Sequence, residues 1–164
     1  MFFLRDLPKD HELLSLSRRY DNMKPSATKA CLLIMRIGSD ISQAFESLLR
    51  KDCLSLGRFL SLMLLNRNPE TALSPSLLAD KVGVTRPTMT GLLDGLVKDK
   101  LVKRYSADDD RRKLLVQITA KGRKRLDSIL PQYYQLISEL LSNLSQDEQE
   151  TLASLMIKAF PEVY

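Results

Sequence analysis

The sequence predicts a mainly α protein, a winged helix-turn-helix with a small antiparallel β-wing attached to a helical lobe. Three observations carry that expectation. Apolar residues recur at helical spacing through most of the chain. Only "LVKRY" (101–105) and "LLVQI" (114–118) read as strands, and two short, well-capped helices directly precede them. Leucine supplies most of the core, aromatic residues are sparse and tryptophan is absent.

The elements follow in order. "DHELLSLSRRY" is a short first helix. From Pro25, the positions Ala30, Leu33, Ile34, Ile37, Ile41, Ala44, Phe45 and Leu48 step as i, i+3, i+4, i+7, which predicts a long second helix with a heptad-like seam. "SLGRFLSLMLLNR" (55–67) is a third, apolar helix that "NPETALS" ends. Ser74 is then a suitable N-cap with Pro75 at the first helical position, where its missing N–H costs nothing, and the helix stops at Gly83. Thr85 caps the next helix, whose buried stripe is Met89, Leu92, Leu93, Leu96 and Val97 and whose outer face carries Pro87, Gly91, Asp94 and Lys98. After the two strands, Thr119 caps a long helix. Its residues Leu126, Leu130, Tyr133, Ile137, Leu140 and Leu144 follow the alternating four-three spacing of a coiled-coil seam. Ser145 and Glu148 form a capping box for a final helix expected to bury Leu152, Leu155, Met156, Ala159 and Phe160.

Charge is distributed unevenly. Residues 1–80 hold 11 basic and 9 acidic side chains, residues 81–125 hold 13 and 5, and residues 126–164 hold 1 and 6. A basic middle third in an otherwise near-neutral or acidic chain is the footprint of a polyanion-binding element. The stretch "SADDDRRKLLVQITAKGRKR" concentrates this pattern. Asp108 and Asp109 suit a hairpin tip, whereas "KGRKR" begins a helix, where positive charge opposes the macrodipole unless phosphate lies near. Gly91 and Gly95 each cost about 1 kcal/mol against alanine in a helix interior. Either they let the helix approach a DNA groove closely, or they relieve packing against a neighbouring helix.

Other functions find little support. The single histidine, His11, allows no histidine-metal cluster and no convincing Ser-His-Asp arrangement, and no phosphate-cradling glycine motif occurs. An enzyme is therefore not expected, and no cofactor or metal is implied. The N-terminal apolar stretch is too short for a signal peptide and no apolar run approaches the length that spans a bilayer, so a soluble cytoplasmic protein without a membrane partner is expected. Cys31 and Cys53 match no zinc or thioredoxin spacing and are expected to be buried, reduced thiols.

Residues 77–122, "LLADKVGVTRPTMTGLLDGLVKDKLVKRYSADDDRRKLLVQITAKG", resemble the MarR family of bacterial transcriptional regulators. "DRRKLLVQITAKG" is similar to the family's wing signature, and "TRPTMTGLLDGLVKDKLV" to its recognition helix and following strand. The flanking long helices are similar to its dimerisation lobe, and "LPQYYQLISELLSNLSQDEQETL" looks most like the EmrR/MprA branch, repressors of multidrug efflux operons.

The resemblance implies one MarR-type domain over 1–164, with a DNA-binding lobe at 55–118 and a dimerisation lobe formed by 1–54 plus 119–164. It implies a homodimer on a palindromic operator in double-stranded DNA. In the recognition helix it points to Thr85, Arg86, Pro87, Thr88, Thr90, Gly91 and Lys98. Of these, Arg86, Thr88 and Thr90 match positions that enter the major groove. Many relatives carry arginine where this chain has Gly91. In the wing, Arg111 matches the arginine that reaches the minor groove, while Asp110 and Arg112 match a pair that braces the wing, with Asp94 a candidate partner. Lys98, Lys103, Arg104, Lys113 and Lys121 are candidate phosphate contacts. The dimer interface would use Leu126, Leu130, Tyr133, Ile137, Leu140, Leu152, Leu155 and Phe160. A small anionic or phenolic effector is implied, with Met35, Ser39, Phe59 and Met63 as candidate lining. The expected function is thus a ligand-responsive repressor of efflux or stress-response genes. The alternatives are a thiol-based redox-sensing regulator of the same fold and a winged-helix protein-interaction module that binds no DNA.

Overall fold

The computed structural model describes residues 5–106 and 114–163. Its elements are α1 (Asp10–Arg19), α2 (Pro25–Arg50), α3 (Leu56–Arg67), α4 (Pro75–Val82), α5 (Arg86–Lys98), β1 (Val102–Ser106), β2 (Leu114–Ile118), α6 (Ala120–Leu140) and α7 (Gln146–Ala159), followed by a 3-10 turn at Pro161–Val163. Among the described residues this is the mainly helical, winged helix-turn-helix architecture that the sequence predicts.

Local chemistry explains why the helices start where they do. Ser55, Ser74, Thr85, Thr119 and Ser145 each stand in extended backbone and accept a hydrogen bond from the N–H three residues on. Each bond satisfies one of the donors that a helix N-terminus leaves open. At Ser145 the box is reciprocal, since the Glu148 carboxylate accepts from the Ser145 N–H at 2.8 Å. That bond, then the Ser145 hydroxyl, holds the Glu148 carboxyl below the usual glutamate range. Helix α4 ends on Gly83 in the left-handed region (φ 76°), the conformation that turns the chain towards α5. Pro131 lies inside α6, where it removes one intrahelical hydrogen bond without ending the helix.

The chain divides into two compact units, Met1–Ser47 and Leu48–Tyr164. Helices α6 and α7 fall within the second of these. In the first unit Leu13 of α1 is buried and Asp10 pairs with Lys29 of α2 at 2.7 Å. Part of the apolar seam of α2 stays open, with Ala30, Leu33 and Ile37 exposed.

The second unit holds the hydrophobic core. Phe59, Leu62 and Leu65 of α3, Leu78 and Ala79 of α4, Met89, Leu93 and Leu96 of α5, Val102, Val116 and Ile118 of the strands, and Leu126 and Ile129 of α6 form one cluster. Leu92 and Val97, the other two residues of the predicted α5 stripe, pack on it half-buried. The strands pair antiparallel, Val102 opposite Ile118 and Ser106 opposite Leu114. Leu73 adds a further bridge, exchanging two 2.9 Å backbone hydrogen bonds with Val116. That bridge joins the start of α4 to the wing sheet.

Three expectations are corrected here. Leu152, Leu155, Met156, Ala159 and Phe160 are exposed, because α7 buries no residue within the single chain. Leu126 is fully buried in the protomer core, so its side chain cannot form an interface between chains. Cys31 and Cys53 are exposed rather than buried, and Cys53 stands at φ 54°, where the chain turns between α2 and α3.

Candidate nucleic-acid interface

Helices α4 and α5, joined by Gly83, Val84 and Thr85, present one exposed surface. The core stripe of α5 faces inward, which turns Thr85, Arg86, Pro87, Thr88, Thr90, Gly91, Asp94 and Lys98 outward, all exposed. The Thr85 and Thr88 hydroxyls lie 2.9 Å apart, and the Thr88 N–H donates to Thr85 Oγ1 at 3.3 Å. Thr90 donates its hydroxyl proton to the Arg86 carbonyl at 3.1 Å. It can therefore approach a base as an acceptor without breaking a bond. Arg86 and Lys98 bring positive charge to the two ends of this face.

Gly91 and Gly95 have different explanations, although the sequence treats them alike. A Cβ at Gly91 would meet nothing within 4 Å, so Gly91 keeps the middle of the outer face low. A Cβ at Gly95 would overlap the Arg58 guanidinium, which crosses α5 there from α3. Gly95 thus follows the packing explanation. Arg58 also reaches Asp99, beyond the end of α5, at 3.4 Å.

The other flank of α5 is held by Arg104 of β1. Its Nη1 donates to Asp94 Oδ1 at 2.6 Å and its Nη2 to the Thr90 carbonyl at 3.3 Å. Arg104 therefore ties α5 to the first wing strand through two of its nitrogens. Asp94 takes this brace from Arg104. Asp110, Arg111, Arg112 and Lys113 lie outside the described residues. Lys121 donates to the Asp99 carbonyl at 2.9 Å, while Lys103 lies over the Tyr105 ring, 5.7 Å from its centroid.

The base of the wing is built around Thr119 and Gly122. Thr119 donates its hydroxyl to the Lys100 carbonyl at 2.9 Å and to the Leu101 carbonyl at 3.1 Å, and its N–H to the latter at 3.0 Å. A Cβ at Gly122 would overlap the Leu101 carbonyl oxygen and lie 2.8 Å from Ile118 Cγ1. The "TAKG" stretch is thus the joint that fastens α6 to the entrance of β1. Arg125 adds a second tie, donating to the Asp52 carbonyl at 2.6 Å and pairing with its carboxylate at 3.1 Å.

The remaining candidates are placed as follows. Leu130, Tyr133 and Ile137 are half-buried on α6, while Leu140 is exposed. The Tyr133 ring lies 4.9 Å from that of Phe59, and burial, then the neighbouring Tyr134, raises its phenol above the usual tyrosine range. Phe59 is fully buried and Met63 packs half-buried on the same core, which makes Phe59 a core residue. Met35 and Ser39 share a face of α2 with Ile34, Gly38, Ser42 and Gln43, along a shallow groove. The described residues contain no cluster of metal-ligating side chains and no helix long and apolar enough to cross a membrane.

Sequence reasoning missed Arg58 and Leu73. A lone arginine in an apolar helix gives no sign of where its guanidinium ends, and a single bridging residue has no alternation to detect. Arg104 was legible as a basic position but not as a brace.

Comparison with known proteins agrees with this geometry. The model of the MarR family matches residues 54–113. The chain is 32% identical to the HTH-type transcriptional repressor YetL of Bacillus subtilis, over 93% of this chain and 92% of that protein. It is 29% identical to the transcriptional repressor MprA of Escherichia coli, over 77% of this chain and 72% of that protein. Among solved structures, a MarR mutant from Escherichia coli complexed with operator DNA superposes with a TM-score of 0.71 at 25% identity, covering 79% of this chain and 91% of that one. These relatives are transcriptional regulators, not enzymes. The chain belongs to the MarR family of winged-helix transcriptional regulators.

Proposed function

We propose that this regulator is a homodimeric, ligand-responsive repressor that binds a palindromic operator in double-stranded DNA. One observation carries the reading. The face of α5 formed by Pro87, Thr88, Gly91 and Lys98 is bare in the protomer, yet the helix beneath it is clamped on both flanks by Arg58 and Arg104. A rigid, exposed helix with small polar side chains at its N-terminal end suits a major groove, and two copies would read half-sites about one DNA turn apart. The operator complex of the Escherichia coli MarR mutant supports this use of the fold.

The uncovered apolar residues support a dimer. Leu152, Leu155, Met156, Ile157 and Phe160 are between 38% and 58% exposed, and Leu140 is 41% exposed. A monomer in water rarely leaves so many large apolar side chains open along one helix. Leu130, Tyr133 and Ile137 extend the proposed interface along α6. Control of efflux or stress-response genes is the proposed output; the names of YetL and MprA, both transcriptional repressors, support repression as its sign. A small anionic or phenolic effector, with Met35 and Ser39 as candidate contacts, would act only by binding the DNA-competent and DNA-incompetent states unequally.

Selection of bound fragments from the source genome with purified protein tests the reading. It is expected to return a palindrome beside the regulated genes. Sedimentation at micromolar concentration is expected to give a dimer. A monomer, or no sequence enrichment, would refute the proposal. The exposure of Cys31 and Cys53 favours a second reading, a thiol-based redox sensor. It requires peroxide to release DNA from the wild type but not from Cys31→Ser or Cys53→Ser.

A further inference from the structure

Gly91 leaves the recognition face without a long cationic side chain at its centre, and Gly95 admits one from elsewhere. Gly95 lies one helical turn beyond Gly91 and beside Lys98. The space that a side chain at 95 would fill holds the guanidinium of Arg58, which belongs to α3. We propose that Arg58 is a DNA-backbone ligand of this protein, delivered through the gap at Gly95 to the edge of the recognition face. The proposal rests on the DNA-binding reading above.

Three features support it. The guanidinium carries five donors in a planar fork that matches phosphate. Its ion pair with Asp99 is long, at 3.4 Å, and is made to a carboxylate that is itself half-exposed. That contact holds the guanidinium in place while leaving donors for a second anion. Arg104 on the opposite flank differs, because its contact to Asp94 is short, at 2.6 Å, and a second nitrogen is taken by the Thr90 carbonyl. Both arginines thus hold the flanks of α5, and Arg58 serves in addition as a DNA ligand.

The two glycines supply the test. In Gly95→Ala, the new methyl group meets only the far end of a flexible side chain, so the guanidinium moves and the helix is not broken. Alanine also favours the helix. Gly95→Ala is therefore expected to fold at least as well as wild type and still lose the contact. Binding to a fluorescein-labelled duplex of random sequence would be measured across a salt series for wild type, Arg58→Gln, Gly95→Ala and the double variant. One lost phosphate contact lowers the slope of log K against log salt by about 0.9, equivalent to about eightfold weaker binding at 0.1 M salt. Both single variants are expected to show that change, and the double variant no further loss. Wild-type slopes in both single variants would overturn the proposal and leave DNA binding intact. Loss in Arg58→Gln alone would show that the gap at Gly95 is not the route, which also overturns it. A wild-type protein that binds no duplex at low salt would overturn the DNA-binding reading as well.

Discussion

Replacing Gly122 by alanine sets helix propensity against a backbone contact, and the two predict opposite signs. Propensity alone favours Gly122→Ala by about 1 kcal/mol in α6. The structure opposes it, because the added Cβ would overlap the Leu101 carbonyl oxygen and press on Ile118 Cγ1 at 2.8 Å. A carbonyl cannot swing aside as a side chain does. It is also the acceptor for both the N–H and the hydroxyl of Thr119, at 3.0 and 3.1 Å. Overpacking of this kind costs about 1–3 kcal/mol, and two weakened hydrogen bonds cost about 1 kcal/mol each. Offset by the propensity gain, the net expectation is a loss of about 2–4 kcal/mol, or a fall in melting temperature of roughly 5–15 °C for a chain of this size. Gly91→Ala is the internal control. It meets nothing within 4 Å and is expected to gain up to about 1 kcal/mol. Urea unfolding of both variants at equal protein concentration measures the pair. A Gly122→Ala protein as stable as wild type, or shifts of the same sign in both variants, would refute the reasoning.

Arg104→Met is expected to weaken operator binding several-fold with an unchanged salt slope, because Arg104 acts by positioning Thr90 and Asp94; a slope lower by about 1 would make it a phosphate ligand instead. Lys98→Ala is expected to lower the slope by about 1 on operator and random duplex alike, whereas Arg111→Ala is expected to cost roughly 1–3 kcal/mol, mostly on operators with A·T-rich flanks. Fluorescence titrations on paired duplexes separate the two, and equal losses on every sequence for Arg111→Ala would remove the proposed minor-groove contact. Glu148 titrates below the usual glutamate range, so its contribution to α7 is present above the ordinary pKa and is lost as pH falls through the lowered value. Carboxyl shifts followed by NMR, with Ser145→Ala as reference, are expected to show a midpoint nearer the ordinary glutamate value in that variant.

The helix starts were legible because capping is a local matter. A hydroxyl at Ser74, Thr85, Thr119 or Ser145 bonds an N–H three residues on, and no distant partner enters. The inward stripe of α5 was legible for a similar reason, since helical periodicity fixes which side chains share a face. The outer face followed by exclusion, and with it Thr88, Gly91 and Lys98. Apolar periodicity on α7 was legible too, but its burial was not. A pattern shows that a face seeks cover and does not say which chain supplies it.

The sequence by itself determined the order of elements, the basic middle third and the family, each written in adjacent or periodically spaced residues. Tertiary structure alone decided how the recognition helix is held. Gly91 and Gly95 are equivalent in sequence, four residues apart on one helix, yet one faces open space and the other accommodates Arg58 from 37 positions earlier in the chain. Arg104, one basic residue among many, became the brace because the pairing of β1 with β2 aims it at Asp94. Long side chains reach across elements, so their partners depend on packing rather than on spacing.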